Sequence, residues 1–243
     1  MEETKQNNKA KKLLYLISGL GGISLIILIH EAGHFLFAKL FNVPTPLFSI
    51  GFGPALYSYS IRQTIFKVCL IPFGGYVEMD QEVFVQLTYL PKLLIIMAGI
   101  FFNLIFAYAI LFFYSTRNKS TLKKTLMDVI KPSSSTKQTT LESNNNNVIG
   151  PIGIINMIGK SLAINSQYFW LMLAIISLNI GLFNILPLPF FDGGKALILT
   201  IETVIGMIIP PTALWFISTI LFVLFMLCIM QITVNDIKQL FKK

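Results

Sequence analysis

The sequence predicts a mostly α-helical, multi-pass membrane protein with about four transmembrane helices and a small membrane-associated β-hairpin or meander. Apolar residues make up 54% of the 243 residues, charged residues make up 12%, and the mean hydropathy is +0.71. This composition is far from a soluble average. A helix needs roughly 20 apolar residues to cross about 30 Å of hydrocarbon. Four stretches have about that length or more, at about Leu13 to Leu40, Leu93 to Tyr114, Phe169 to Leu186, and Thr212 to Ile232.

These stretches divide the chain into four regions. A polar tail precedes the first helix, and a mostly polar loop separates the two pairs of helices. Ser, Thr, Asn and Gln supply twelve of the sixteen residues from Pro132 to Asn147, so this loop is predicted to be disordered. The predicted regions are the tail (1–12), the first helix pair (13–114), the loop (115–149) and the last helix pair (150–243).

The first apolar stretch contains the pattern H-E-x-x-H at His30, Glu31 and His34. Residues four apart share a helix face, so both imidazoles can bind one Zn²⁺ while Glu31 acts as general base on its water. A hydrogen-bonded cluster between helices is the alternative. However, these are the only histidines of the chain, and ionisable groups inside an apolar span favour a functional interpretation.

The segment 43–79 has a different character because prolines and glycines interrupt it repeatedly. Short runs with alternating side chains, Ala55 to Ser60 and Thr64 to Ile71, lie between them and predict strands. The free edge of such a sheet can accept an extended peptide as an additional strand.

The third apolar stretch ends at Pro187 and Pro189, which are followed by Asp192 and a further helical piece from Lys195 to about Ile209. A catalytic zinc needs a third protein ligand and an open position, and no further histidine can supply it. If the spans alternate in direction, Asp192 lies on the same side of the bilayer as His30. The alternative role for Asp192 is an Asp-Gly turn or a helix N-cap.

His30 to His34, together with Asn184 to Gly194, resemble the two signatures of the site-2 protease family of intramembrane zinc metalloproteases. The similarity is closest to the regulator-of-sigma-E protease branch. Three further segments resemble family features, although Ile100 stands where the second-span motif usually has proline. They are Phe48 to Pro54 and Ile71 to Val77 for the membrane-associated β-region, and Ala98-Gly99 with Asn103 for the second-span motif.

The resemblance implies hydrolysis of peptide bonds in transmembrane proteins, known as regulated intramembrane proteolysis. It implies His30, His34 and Asp192 as zinc ligands and Glu31 as the catalytic base. Five residues would contact the substrate: Asn184, Asn179, Asn103, Gly74 and Gly75. For the asparagines, polar packing between helices is the alternative role. The loop 115–149 is too short and too polar for the family's PDZ domain.

The resemblance also implies single-span membrane proteins as substrates, in a bacterial inner membrane or an organelle membrane such as that of a plastid. In the resembling branch both chain termini lie outside the cytoplasm. The net charge of +8 comes mainly from Lys and Arg in the tails and the loop, which fits attraction to anionic lipid headgroups. No nucleic-acid recognition motif accompanies these residues, so no nucleic-acid partner is expected. The remaining alternatives are an inactive scaffold of the same fold and a metal-binding membrane transporter.

Overall fold

The computed structural model describes residues 2–117, 150–206 and 209–241. Within them, four helices are long and apolar enough to cross a membrane, which confirms the predicted fold class. The elements follow in the order α1 (Glu2–Leu40), β1 (Leu47–Ile61), β2 (Thr64–Glu78), α2 (Gln81–Gln86), α3 (Tyr89–Arg117), α4 (Pro151–Ile164), α5 (Ser166–Asn184), α6 (Asp192–Ile205) and α7 (Pro211–Phe241). The candidate transmembrane helices are α1, α3, α5 and α7.

Several boundaries differ from those predicted. Helix α1 begins at Glu2 and not after residue 12, because residues 2–12 contain neither Pro nor Gly and consist mostly of good helix formers. Helix α6 begins at Asp192 rather than Lys195 and ends at Ile205. Gly206, with φ 70°, caps it in the left-handed conformation. The predicted polar loop lies outside the described residues, except that residues 115–117 continue α3.

The helices pack through small residues. A Cβ atom built on Gly33 of α1 would lie 2.6 Å from the Ala98 carbonyl oxygen of α3, so the two backbones are in direct contact. Helix α4, which was not predicted, packs on the other half of α1, with Gly159 against the backbone of Tyr15. Small residues allow this close approach between membrane helices. The buried core beside this contact consists of Ile26, Ile158, Leu173 and Ile176.

Strands β1 and β2 form one two-stranded antiparallel sheet. Residues 47–50 of β1 pair with two separate parts of β2, 65–68 and 75–78, whereas 55–61 pair with 64–69. The long strands therefore bend, and Gly51 and Gly53, with φ of 86° and 85°, provide the bend in β1. The outer part of the sheet exposes apolar side chains, among them Leu56, Tyr57, Tyr59 and Leu70.

The sheet is attached to α1 near the H-E-x-x-H residues. The ring of Phe35 contacts those of Phe48 and Phe66 with centroid distances of 5.5 and 5.7 Å. This contact fixes the sheet beside the helix face that carries the two histidines. The segment before α6 contacts α7 through aromatic side chains as well. The ring centroids of Phe190 and Phe225 are 5.3 Å apart.

Candidate metal centre

Helices α1 and α6 bring the three predicted ligands together. His30 and His34 lie one helical turn apart on α1, and Asp192 is the first residue of α6. The Nε2 atoms of the two histidines are 3.2 Å apart. Oδ2 of Asp192 lies 3.1 Å from Nε2 of His30 and 3.2 Å from Nε2 of His34. The three atoms form a nearly equilateral triangle.

These distances fit a tetrahedral zinc ion. Ligand atoms about 2.0–2.1 Å from zinc in tetrahedral geometry are separated by about 3.3 Å from one another, close to the observed separations. Oδ2 of Asp192 is buried and has no hydrogen-bond partner among the described residues. Buried polar atoms normally have a partner, so an oxygen in this position is explained by a cation between the three side chains.

Neighbouring groups orient the ligands. Nδ1 of His34 lies 2.9 Å from the carbonyl oxygen of Ile95. A carbonyl can only accept, so Nδ1 carries the proton and Nε2 keeps its lone pair for a metal. Nζ of Lys195 lies 3.3 Å from Oδ1 of Asp192, which leaves Oδ2 for the ion.

Asp192 is ionised in this environment. Burial by itself raises the pKa of its carboxyl group, but the imidazoles of His30 and His34, if protonated on Nε2, and the charge of Lys195 outweigh burial. A metal cation in place of those protons acts in the same direction. The pKa of Asp192 is therefore held below its ordinary value. A carboxylate must be deprotonated to bind a metal, so this charge state suits a ligand.

Gly99 of α3 closes the back of the centre, and sequence reasoning did not include it among the site residues. A Cβ atom at this position would lie 2.6 Å from Nε2 of His30 and would also overlap Nε2 of His34. Any side chain here would occupy the space between the ligands. The A-G-x-x-x-N motif of the second span was the signal that could have identified it.

Glu31 lies between the ligands and the sheet. A Cβ atom on Gly75 of β2 would lie 2.9 Å from Cγ of Glu31 and 2.8 Å from the carbonyl oxygen of Ser49. The segment 75–78 therefore runs directly beside the predicted base. Gly74 precedes it with φ 124°, a conformation that favours glycine. Both glycines predicted to contact substrate thus lie near Glu31.

The three predicted asparagines have different surroundings. Asn103 is fully buried, and its Nδ2 lies 3.2 Å from Nδ1 of His30. Asn184 donates through Nδ2 to the Ile180 carbonyl of its own helix at 2.9 Å. Asn179 is exposed on α5. Among the described contacts, none joins Asn179 or Asn184 to the three ligands.

Comparison with known proteins places the chain in one family. The family model described as Peptidase family M50 matches residues 18–228. A Borreliella burgdorferi protein named "Putative zinc metalloprotease" is 35% identical over 120 residues, which cover 42% of this chain and 28% of that relative. Proteins with the same description from Fusobacterium nucleatum and Clostridium perfringens are 25% and 23% identical. Those matches cover 90% and 92% of this chain and 97% and 98% of the relatives.

The family match extends from α1 into α7 and includes all three ligands and Glu31. The four apolar helices agree with an integral membrane protein. The names of the relatives and the triangle of ligand atoms agree on zinc as the cofactor. The chain therefore belongs to peptidase family M50, the site-2 protease family of membrane zinc metalloproteases.

Proposed function

We propose that the chain is an intramembrane endopeptidase that hydrolyses peptide bonds of single-span membrane proteins, as in regulated intramembrane proteolysis. His30, His34 and Asp192 are the zinc ligands and Glu31 is the catalytic base. The observation that supports this most strongly is the triangle of candidate ligand atoms, which lie 3.1–3.2 Å from one another. Two of the three residues, His30 and His34, lie on a helix that is long and apolar enough to cross a membrane. The lipid bilayer is the environment of both the enzyme and its substrates.

Zinc held by His30, His34 and Asp192 would lower the pKa of a bound water towards 7 and would polarise the carbonyl that is attacked. Glu31 accepts the proton of the attacking water and returns it to the leaving amide nitrogen. Glu31 follows His30 directly in the sequence, and its side-chain stem lies against β2. This position suits both the acceptance and the return of the proton. Lys195 and the Ile95 carbonyl hold two of the ligands in orientation.

The substrate enters as an extended strand. A helical peptide engages its carbonyl groups in its own hydrogen bonds, so it has to unwind before a carbonyl can reach the centre. Among the described residues, segment 75–78 pairs only with 47–50, so its other edge could accept a peptide strand. The closeness of Gly75 to Glu31 would bring a peptide paired there to the base.

Two other functions are less well supported. A catalytically inactive scaffold has no need of the complete set of three ligands and a base, which this chain retains. A metal transporter would be expected to have repeated halves around a central ion site, and no internal repeat is evident in the sequence. Measuring zinc content together with cleavage of a membrane substrate separates the three functions.

The decisive variant is Glu31→Gln. We expect the detergent-purified variant to contain one zinc per chain and to leave a co-expressed single-span substrate intact, because an amide cannot accept the proton of the water. Zinc is measured by metal analysis and cleavage by the appearance of the shortened product. Turnover above a few per cent of the wild-type rate would remove Glu31 from its role.

Asp192→Ala tests the assignment of the zinc ligands in the same way. We expect zinc content to fall sharply, since loss of a residue behind a ligand already lowers affinity about tenfold to a hundredfold, and loss of the ligand itself has a larger effect. A variant with full zinc occupancy would contradict the assignment of Asp192 while leaving the other ligands in place.

A further inference from the structure

We propose that Asn103 is a positioning residue of the metal centre, and this inference rests on the ligand set of the proposed function. Its side-chain oxygen accepts a hydrogen bond from Nδ1 of His30 and thereby directs Nε2 of that ring at the metal. Asn103 lies on α3, is fully buried, and has its amide 3.2 Å from Nδ1 of His30. Full burial separates this role from contact with the substrate.

The orientation of the Asn103 amide determines which nitrogen of His30 can bind a metal. With Nδ2 facing His30, the other end of the amide, Oδ1, is buried and has no hydrogen-bond partner in the described part of the chain. In that orientation Nδ1 of His30 would have to accept, so Nε2 would carry the proton and could not bind a metal. The two ends of an amide have nearly the same shape. Turning the group by 180° lets Oδ1 accept the proton of Nδ1 and frees the lone pair of Nε2, while Nδ2 takes the buried place that Oδ1 had.

The other histidine of the centre, His34, already has an oxygen at its Nδ1. Nδ1 of His34 faces an oxygen, the carbonyl of Ile95, at 2.9 Å. Ile95, Gly99 and Asn103 are spaced four residues apart and so occupy one face of α3. On this face, the carbonyl of Ile95 contacts His34, the missing side chain of Gly99 leaves space for both imidazoles, and the amide of Asn103 contacts His30. Metal-binding histidines almost always donate their second N–H to such an oxygen.

Asn103 is itself held in place by a neighbouring helix. The hydroxyl of Ser177 on α5 donates to the backbone carbonyl of Asn103 at 3.0 Å. Gly181, one turn later on α5, packs beside Asn103, since a Cβ there would make ordinary contact with Cβ of Asn103 at 3.5 Å. Helices α3 and α5 together therefore fix the position from which the amide reaches His30.

The test compares Asn103→Leu, which has a similar volume and no acceptor, with Asn103→Asp, which keeps an oxygen. Zinc affinity is measured by competition with a chelator on the purified full chain, and the visible spectrum of the cobalt-substituted protein reports ligand geometry. We expect Asn103→Leu to weaken zinc binding about tenfold to a hundredfold and to alter the cobalt spectrum. We expect Asn103→Asp to stay within a few-fold of wild type with the wild-type spectrum.

Ile105→Leu is the control, because Ile105 lies on the same helix as Asn103 and is 62% exposed, so its zinc affinity should match the wild type. Wild-type zinc affinity in Asn103→Leu would overturn the inference, as would a folded Asn103→Asp variant that binds zinc as weakly as the Leu variant. The proposed function fails in a different way. If His30→Ala keeps wild-type zinc affinity, the ligand set itself is wrong, and with it the role of Asn103.

Discussion

The geometry around the two histidines depends on what α3 places behind them. On α1, His30 and His34 are brought together by helical spacing alone, but helical spacing does not decide which nitrogen of each ring faces the ion. The Ile95 carbonyl settles this for His34. Gly99 matters at the same scale, because the missing side chain is the space in which the two Nε2 atoms approach each other. A single added methyl group would therefore act directly on the metal.

Gly99→Ala is expected to lower zinc affinity at least as much as the loss of an orienting residue, about tenfold to a hundredfold. The new Cβ would overlap both imidazole nitrogens, and a movement of α3 away from them would break its close backbone contact with Gly33 of α1. Chelator competition on the purified variant measures the effect. The matched control is Gly21→Ala, since a Cβ there would meet nothing within 4 Å. Equal zinc affinity in the two variants would refute the steric role of Gly99.

Residue-level prediction from the sequence was uneven for a physical reason. The spacing of His30 and His34 is local, and Asp192 followed from the alternation of spans, so these three were predictable. The surroundings of the three asparagines could not be predicted. A helix that is apolar on every side has no hydrophobic pattern from which its rotation about its own axis can be deduced. Lipid-facing and protein-facing positions are equally apolar. Only the structure separates buried Asn103 from exposed Asn179.

At the scale of elements, the sheet is more elaborate than the predicted hairpin. Strands were predicted at 55–60 and 64–71, whereas β1 and β2 each have 15 residues. The prolines at 54 and 72 suggested strand ends, but both lie within the long strands, where bends and edges tolerate proline. The additional part, 75–78, is the one that reaches Glu31. Helix α4 escaped prediction because its 14 residues are too few to cross a bilayer.

One methyl group added at Gly75 is expected to displace the part of β2 that lies next to Glu31. In Gly75→Ala, the new Cβ would press on the Ser49 carbonyl and on the stem of Glu31. We expect segment 75–78 to shift and cleavage to fall about tenfold to a hundredfold, the cost of a misplacement near 1 Å. Zinc content should stay at the wild-type level, since no ligand is touched. Cleavage of a co-expressed substrate and metal analysis are the two measurements.

Ser58→Ala serves as the control for the sheet, because Ser58 is exposed and lies in the outer segment that pairs only with 64–69. Its cleavage rate should match the wild type. If Gly75→Ala also cleaves at the wild-type rate with zinc bound, the substrate strand does not run along 75–78. A loss of zinc in Gly75→Ala would instead indicate that the sheet supports the ligands.

At the scale of the whole molecule, the centre exists only when distant parts of the chain meet. Its ligands come from α1 and α6, its orienting groups from α3 and α6, and its neighbouring strand from β2. The same assembly shows which parts of the chain lie beside each end of α1. Helix α4 packs against Tyr15 and Gly19 of α1, so the residues that follow the loop 115–149 lie beside the amino-terminal half of α1. The ligands lie towards the other end of that helix.

The distribution of Lys and Arg and the family resemblance disagree on which side of the membrane the metal centre faces. With four spans, both termini and the region 115–168 share one side, which carries fourteen of the nineteen Lys and Arg residues, while the other side carries five. The positive-inside rule would place the side with fourteen in the cytoplasm. The resembling protease branch has the reverse arrangement, and we expect it here, because the sheet and the centre must meet substrates from one particular side. Long loops also weaken the charge rule. Reporter fusions at Asn145 and after Lys243 should therefore both report the non-cytoplasmic side. Two cytoplasmic signals would show that the charge distribution determines the orientation, with the metal centre near the opposite face.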